Sequence, residues 1–155
     1  MNIDELIQHM SPELFLTDMK AKNKDQALEE LTAATIAGSA IKDEGTVLEM
    51  LRNREALGST ALEKGIAFPH GRTLAVKDLT ILVARSKKGV PFDSEDGKPT
   101  HLFFLLLAPP QDTGNYYLQA LGKIAELVRV DEVCNAMMEV KDFDELSHLL
   151  KESAA

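Results

Sequence analysis

A chain of 155 residues with 45% apolar and 27% charged residues can bury a sizeable core, which excludes fibrous and disordered readings. Its 17 basic and 25 acidic residues leave a net charge of −8, which would repel phosphate backbones and argues against a general nucleic-acid surface. The longest apolar run, Leu102 to Ala108, falls far short of the ~20 residues a membrane-spanning helix needs, so membrane insertion is not expected.

In chain order, "IDELIQHM" has the pattern of a short helix, and Pro12 breaks the chain before "LFLTDM", which is short enough for an edge strand. A helix follows over "NKDQALEELTAATIAGSA", with Asn23 placed to cap its start, Gly38 to end it, and Ala27, Leu28, Leu31, Ala34 and Ile36 near helical spacing. "DEGTVLEMLRNREA" continues as a second helix carrying Val47, Leu48 and Leu51. Three strand-like pieces come next, at 65–68, 79–86 and 101–108, and the last is so uniformly apolar that both its faces must be covered. "APPQDTGN" stops that strand, because proline donates no ladder hydrogen bond. The tail is helical, with Leu118, Leu121, Ile124, Ala125 and Val128 on one side of "YYLQALGKIAELV" and Phe143, Leu146, Leu149 and Leu150 repeating the pattern in "DFDELSHLLKES". The order predicts an α/β sandwich, a central sheet flanked by helices on both sides, and the absence of repeats or linkers predicts one domain over 1–155.

The stretch "EKGIAFPHGR" sets His70 between Pro69 and Gly71. Pro69 fixes its own φ and holds Phe68 extended, while Gly71 allows backbone angles other residues avoid, so His70 is expected on a rigid turn at the end of a strand. Carboxyl ends of strands are where open α/β sheets carry ligand chemistry. A surface turn that merely contains a histidine has the same local pattern. Upstream, "RNREALGST" offers Arg52, Arg54, Gly58, Ser59 and Thr60. A free imidazole has a pKa of ~6.5, so its neutral form is a competent nucleophile toward phosphorus at pH 7. Guanidinium groups, hydroxyls and backbone amides are the donors a phosphoryl group would then need. Taken singly, Arg54 also fits a solvated charge at a helix end, and Gly58 a helix stop.

Together, "REALGSTALEKGIAFPHGR" resembles the phosphorylation-site signature of the fructose/mannitol-type IIA domains of the bacterial phosphoenolpyruvate-dependent sugar phosphotransferase system. "PFD" at 91–93 and "LFFLLLAP" extend the resemblance over nearly the whole chain. It implies the fructose/mannitol-type IIA fold, a mixed sheet flanked by helices, and a phosphocarrier that receives a phosphoryl group from an HPr-like protein. It also implies that His70 is the acceptor, on its Nε2 (tele) nitrogen, and that Arg54 steadies the phosphoryl oxygens. Ser59, Thr60 and Gly71 are then expected to line the phosphate site. A free-standing chain with "LGST" and "IAFPHG" looks most like the nitrogen-regulatory branch, which signals through its phosphorylation state, rather than a member that passes phosphate to a IIB domain of a sugar permease.

One departure concerns Tyr117, which stands in "GNYYLQAL" where sugar-feeding members, and some regulatory ones, carry a second histidine. Its phenol can donate a hydrogen bond to a phosphoryl oxygen but does not relay protons near neutrality, which puts transfer to a IIB domain in question; an aromatic packed under the helix is the alternative. His9, His101 and His148 lack metal-site spacing, and His101 lies at the amino end of its strand, opposite the expected place of His70. "GSTALEKG" lacks the order of a nucleotide-binding P-loop, and no metal or organic cofactor is expected. Cys134 reads as a small core residue; a lone cysteine and an acidic amino terminus without a signal sequence suit the cytoplasm. Two other classes stay open: a hydrolase with a histidine nucleophile, for which Pro69 stands where an arginine is wanted, and a binding module that is never phosphorylated.

Overall fold

The structure, a computed structural model, describes residues 1–154. A short helix α1 (Ile3–Gln8) leads through a single helical turn at Pro12–Leu14 into β1 (Phe15–Leu16). Helices α2 (Lys24–Ala37) and α3 (Glu44–Ala56) follow, then β2 (Ile66–Ala67), β3 (His70–Arg72), β4 (Thr80–Val90) and β5 (Thr100–Ala108). Three helices close the chain: α4 (Tyr116–Leu127), α5 (Asp131–Met137) and α6 (Phe143–Ser153).

Local sequence explains the helix boundaries. Asn23 accepts from the Gln26 amide at the start of α2, Asp43 from Thr46 at the start of α3, and Asp142 from Glu145 at the start of α6, each satisfying an amide that has no partner within its helix. Gly38 ends α2, and its amide bonds the Ala34 carbonyl.

The five strands form one mixed sheet in the order β1-β4-β5-β2. β4 and β5 are antiparallel, whereas β1 runs parallel to β4, and β2 and β3 run parallel to β5. β2 and β3 succeed one another along the same edge of β5. The register does not slip between them: Ile66 opposes Leu102, and His70, four residues on, opposes Leu106. Residues on the far side of β2 fold back against it, with Phe68 N donating to Thr60 O at 3.1 Å and Leu62 N to Ile66 O at 2.7 Å. This small hairpin delivers the end of α3 to the neighbourhood of β3.

Strand alternation divides the core into two layers. Ile66, Phe68, Ile81, Val83, Phe104 and Leu106 face α1, α4, α5 and α6. Ala67, Leu82, Ala84, Phe103, Leu105 and Leu107 face α2 and α3. Each fully buried leucine of β5 contributes roughly 1.5–3 kcal/mol of transfer free energy, which fixes the register that positions the site.

The structure corrects three expectations. "LFLTDM" keeps only two residues in a strand. His70 does not sit on a turn beyond a strand but opens β3. Pro69 lacks only a donor, and its carbonyl accepts from Leu106 N at 3.0 Å, so the ladder passes through it. On α4 the buried face is Tyr117, Ala120, Ile124 and Leu127, and Leu118, expected inside, is 55% exposed.

Candidate phosphoryl-transfer site

Period-two alternation along β3 points His70 and Arg72 to the α4 side of the sheet and Gly71 to the α3 side. A Cβ on Gly71 would meet the Met50 sulfur of α3 at 2.0 Å, so the glycine makes room for α3 to close on β3. His70 is partly exposed. Its Nδ1 lies 2.6 Å from the carbonyl oxygen of Phe68. A carbonyl can only accept, so Nδ1 carries the proton and Nε2 presents the free lone pair.

Tyr117 closes the other side, its ring centroid 6.0 Å from that of His70. The residue is held at the first turn of α4, where Asp112 accepts from the Tyr117 amide at 2.8 Å. Burial pushes the phenol up to about 12, against the opposing pull of Arg72 and Arg54, so at neutral pH it is a hydrogen-bond donor and never a base.

Two arginines converge here from the two layers. Arg54, in the last turn of α3, donates to the Gly58 carbonyl at 3.0 Å and acts electrostatically on Tyr117. Arg72 lies with its guanidinium carbon 4.7 Å from the centroid of the Tyr117 ring and donates to the Pro109 carbonyl at 3.3 Å. Among the described residues, neither is paired with a carboxylate. Arg52 is different: Asp25 takes it at 2.8 and 3.0 Å and Glu29 at 3.3 Å, so its charge is already answered.

Ser59 and Thr60 turn inward, contrary to their expected place lining the site. Ser59 donates to Phe92 O at 2.7 Å and accepts from Ala61 N at 3.1 Å. The buried Thr60 gives its hydroxyl and, at 3.1 Å, its amide to the two oxygens of Glu55, which also meets Lys24 at 3.0 Å. Their hydroxyls brace the turn after α3, and in this arrangement neither is free to donate to a group on His70.

Arg72 and Glu55 join the site without having been expected there from the sequence. Arg72 would have been found by carrying the strand through Pro69, since residues two apart share a face. Glu55 is marked by no spacing rule: Thr60 lies five residues on in the turn after α3, but Lys24 comes from α2. Of the other histidines, His9 bonds the Leu79 carbonyl at 3.1 Å, His101 bonds the Ser86 carbonyl at 2.9 Å at the amino end of β5, and His148 is exposed on α6. Cys134 is half-buried, donates to Val128 O at 3.2 Å and has its thiol pKa raised by burial and by Asp131, as suits a packing residue. None of the described helices is long and apolar enough to cross a membrane.

Residues 8–153 match the family described as "Phosphoenolpyruvate-dependent sugar phosphotransferase system, EIIA 2". The chain belongs to that family. A nitrogen regulatory protein of Bradyrhizobium diazoefficiens is 39% identical to this EIIA 2 chain over 133 residues, 86% of each protein. The crystal structure of nitrogen regulatory protein IIA-Ntr from Neisseria meningitidis superposes with a TM-score of 0.83 at 34% identity, covering 92% of this chain and 97% of that one. The mannitol IIA structure from Escherichia coli, at 22% identity and a TM-score of 0.75 over 90% of this chain and 97% of that one, shares the fold. As an EIIA 2 chain the protein is a phosphotransfer component, and its mixed sheet flanked by helices is the fold of these neighbours.

Proposed function

We propose that the chain is a phosphocarrier of the regulatory, nitrogen-type branch, which accepts a phosphoryl group on Nε2 of His70 from an HPr-like donor protein in the cytoplasm. The observation that carries this reading is the 2.6 Å contact from Nδ1 to the Phe68 carbonyl, which leaves Nε2 as the one nucleophilic ring nitrogen, on a ring that sits against Tyr117 together with Arg72 and within the electrostatic reach of Arg54 on that tyrosine, neither arginine having a carboxylate partner among the described residues.

The Nε2 lone pair attacks phosphorus in line. The donor's N–P bond breaks, and its electron pair stays on the donor imidazole. The Nδ1 proton of His70 stays in place, and the Phe68 carbonyl stabilises the positive charge that the ring gains when the new N–P bond forms. No metal or organic cofactor enters this step. Arg54 balances charge on the equatorial oxygens, and the Tyr117 hydroxyl is a further donor. Gly71 admits the close approach of α3, and Ser59 and Thr60 hold the turn that aims Arg54.

Docking of a protein donor fits the apolar residues that border the site in sequence: Leu57, 86% exposed, Leu74, 89% exposed, and Leu118. The regulatory role rests on the nitrogen regulatory relatives matched over most of both chains, and on Tyr117, which supplies no second imidazole for onward transfer. Phosphorylation adds about −1.5 to −2 charges to an exposed patch, enough to change which partner binds there.

Incubation with phosphoenolpyruvate, the system's general kinase and an HPr-like carrier should give an acid-labile mass gain on the wild type and none on His70→Ala, with phosphorus NMR placing the group on Nε2. Labelling retained in His70→Ala would overturn the assignment.

A further inference from the structure

Arg54 can balance only one of the nearly two negative charges a phosphoryl group brings. We propose that Arg72 is the second phosphoryl-contacting guanidinium, parked on the Tyr117 ring in the free protein and drawn onto the phosphoryl oxygens once His70 carries them; this rests on His70 being the acceptor.

Four observations converge on Arg72. It is two residues from His70 on the same strand and so shares its face, with a spacing of roughly 6.5–7 Å between the two backbone positions. Its guanidinium and the His70 ring sit against the same aromatic ring, at 4.7 and 6.0 Å from the Tyr117 centroid. The restraints on it are weak, one stack and one 3.3 Å bond to Pro109 O, and no carboxylate among the described residues competes for it. Arg54 and Arg72 also come from different elements, α3 and β3, and both act electrostatically on Tyr117, the ring against which His70 sits.

The geometry gives Tyr117 a second task beyond any hydrogen bond of its own. A flexible arginine at an exposed strand end would spread over many rotamers, and stacking holds this one close to the reacting nitrogen. Lysine would keep the charge but lose the flat stack and the forked grip on two oxygens.

The test uses the full chain in a Tyr116→Phe background. That variant leaves Tyr117 as the lone tyrosine in a chain without tryptophan, so its absorbance and near-ultraviolet circular dichroism report on the stack. The expected result is a Tyr117 signal that changes on phosphorylation, and a transfer rate constant from the phospho-carrier that falls about tenfold in Arg72→Ala and less in Arg72→Lys. Thermal midpoints should hardly move, because Arg72 is exposed. Wild-type transfer kinetics in Arg72→Ala, with labelling still lost in His70→Ala, would overturn the role of Arg72 and leave the acceptor standing. A Tyr117 signal that ignores phosphorylation would overturn the movement. A wild-type chain that takes no label would overturn both the acceptor and the clamp.

Discussion

Two imidazoles mark the two ends of β5, His101 on the strand itself and His70 paired beside Leu106, and both are locked in the same way. His70 gives its Nδ1 proton to the Phe68 carbonyl and His101 gives its own to the Ser86 carbonyl. The tautomer is therefore the same, and only the surroundings of Nε2 differ. Around His70 stand Arg54 and Arg72, both without carboxylate partners among the described residues, and an edge-strand position open to solvent. His101 is pressed against the backbone of Gly89, where an added Cβ would come within 3.0 Å of Nε2. A cavity of about 450 Å³ opens there, lined by Lys64, Lys98, His101, Asp131 and Cys134; Lys64 is paired with Asp131 at 3.2 Å, and no arginine lines it. The two imidazoles thus share a tautomer and differ in what surrounds the free nitrogen; on the reading proposed above, guanidinium groups able to fork onto phosphoryl oxygens set the His70 end apart from the packed turn and lysines around His101.

The largest effect should come from breaking the two ends separately. His70→Gln should abolish phosphoryl labelling completely, while His101→Gln should leave the initial rate within about twofold of wild type and lower the thermal midpoint, because it loosens a packed turn. Loss of labelling in both variants would mean that the contrast between the ends is not the one that matters.

Next in size is the buried carboxylate behind the His70 end. Glu55→Ala strips Thr60 of the acceptor for its hydroxyl and amide and leaves Lys24, only 21% exposed at its side chain, with Asp93 alone. Chemical denaturation should show a loss of about 2–4 kcal/mol. Transfer should slow as well, since the turn after α3 aims Arg54. An unchanged denaturation midpoint would remove Glu55 from its bracing role.

How much of this was legible in the sequence depends on the range of the interaction concerned. Asn23 and Gly38 bound α2 as expected because caps act within four residues, and the apolar run of β5 announced a strand covered on both faces. On α4 the expected face holds for Ile124 and Val128, which are buried, and for Leu121 and Ala125, which pack against the core; only at the start of the helix does Leu118 give its place to Tyr117. Tyr117 packing against His70 decided between them, a contact between residues far apart in sequence. His70 and Arg54 stood out by their motif, whereas the inward turn of Thr60 depends on Glu55 and Lys24 together, and no spacing rule encodes that.

A smaller effect should follow from Gly71→Ala. The new methyl would meet the Met50 sulfur at 2.0 Å and its terminal carbon at 2.8 Å, but a methionine tail can move aside, so the cost should stay near 1–3 kcal/mol, about what overpacking typically costs. Met50→Ala in the same chain should restore most of it. If the double variant were as unstable as the single one, the glycine would be serving backbone geometry, not the approach of α3.

The smallest effect tests the charge around the His70–Tyr117 pair most directly. In Tyr116→Phe, tyrosinate absorbance should rise only near pH 12, where burial holds the Tyr117 phenol, against about 10 for a free phenol. The sign follows from linkage: the unfolded chain releases the phenolic proton first, so this contribution to stability is whole below pH 10 and is lost as pH climbs through the window from about 10 to 12. Arg72 and Arg54 both favour the ionised ring, so Arg72→Ala should move the absorbance midpoint still higher, whereas Arg52→Ala should leave it in place because Asp25 and Glu29 already balance that charge. Equal shifts in the two variants would mean that the ring senses net charge alone, and the distinction between paired and unpaired arginines, on which the contrast between the two ends of β5 rests, would fall.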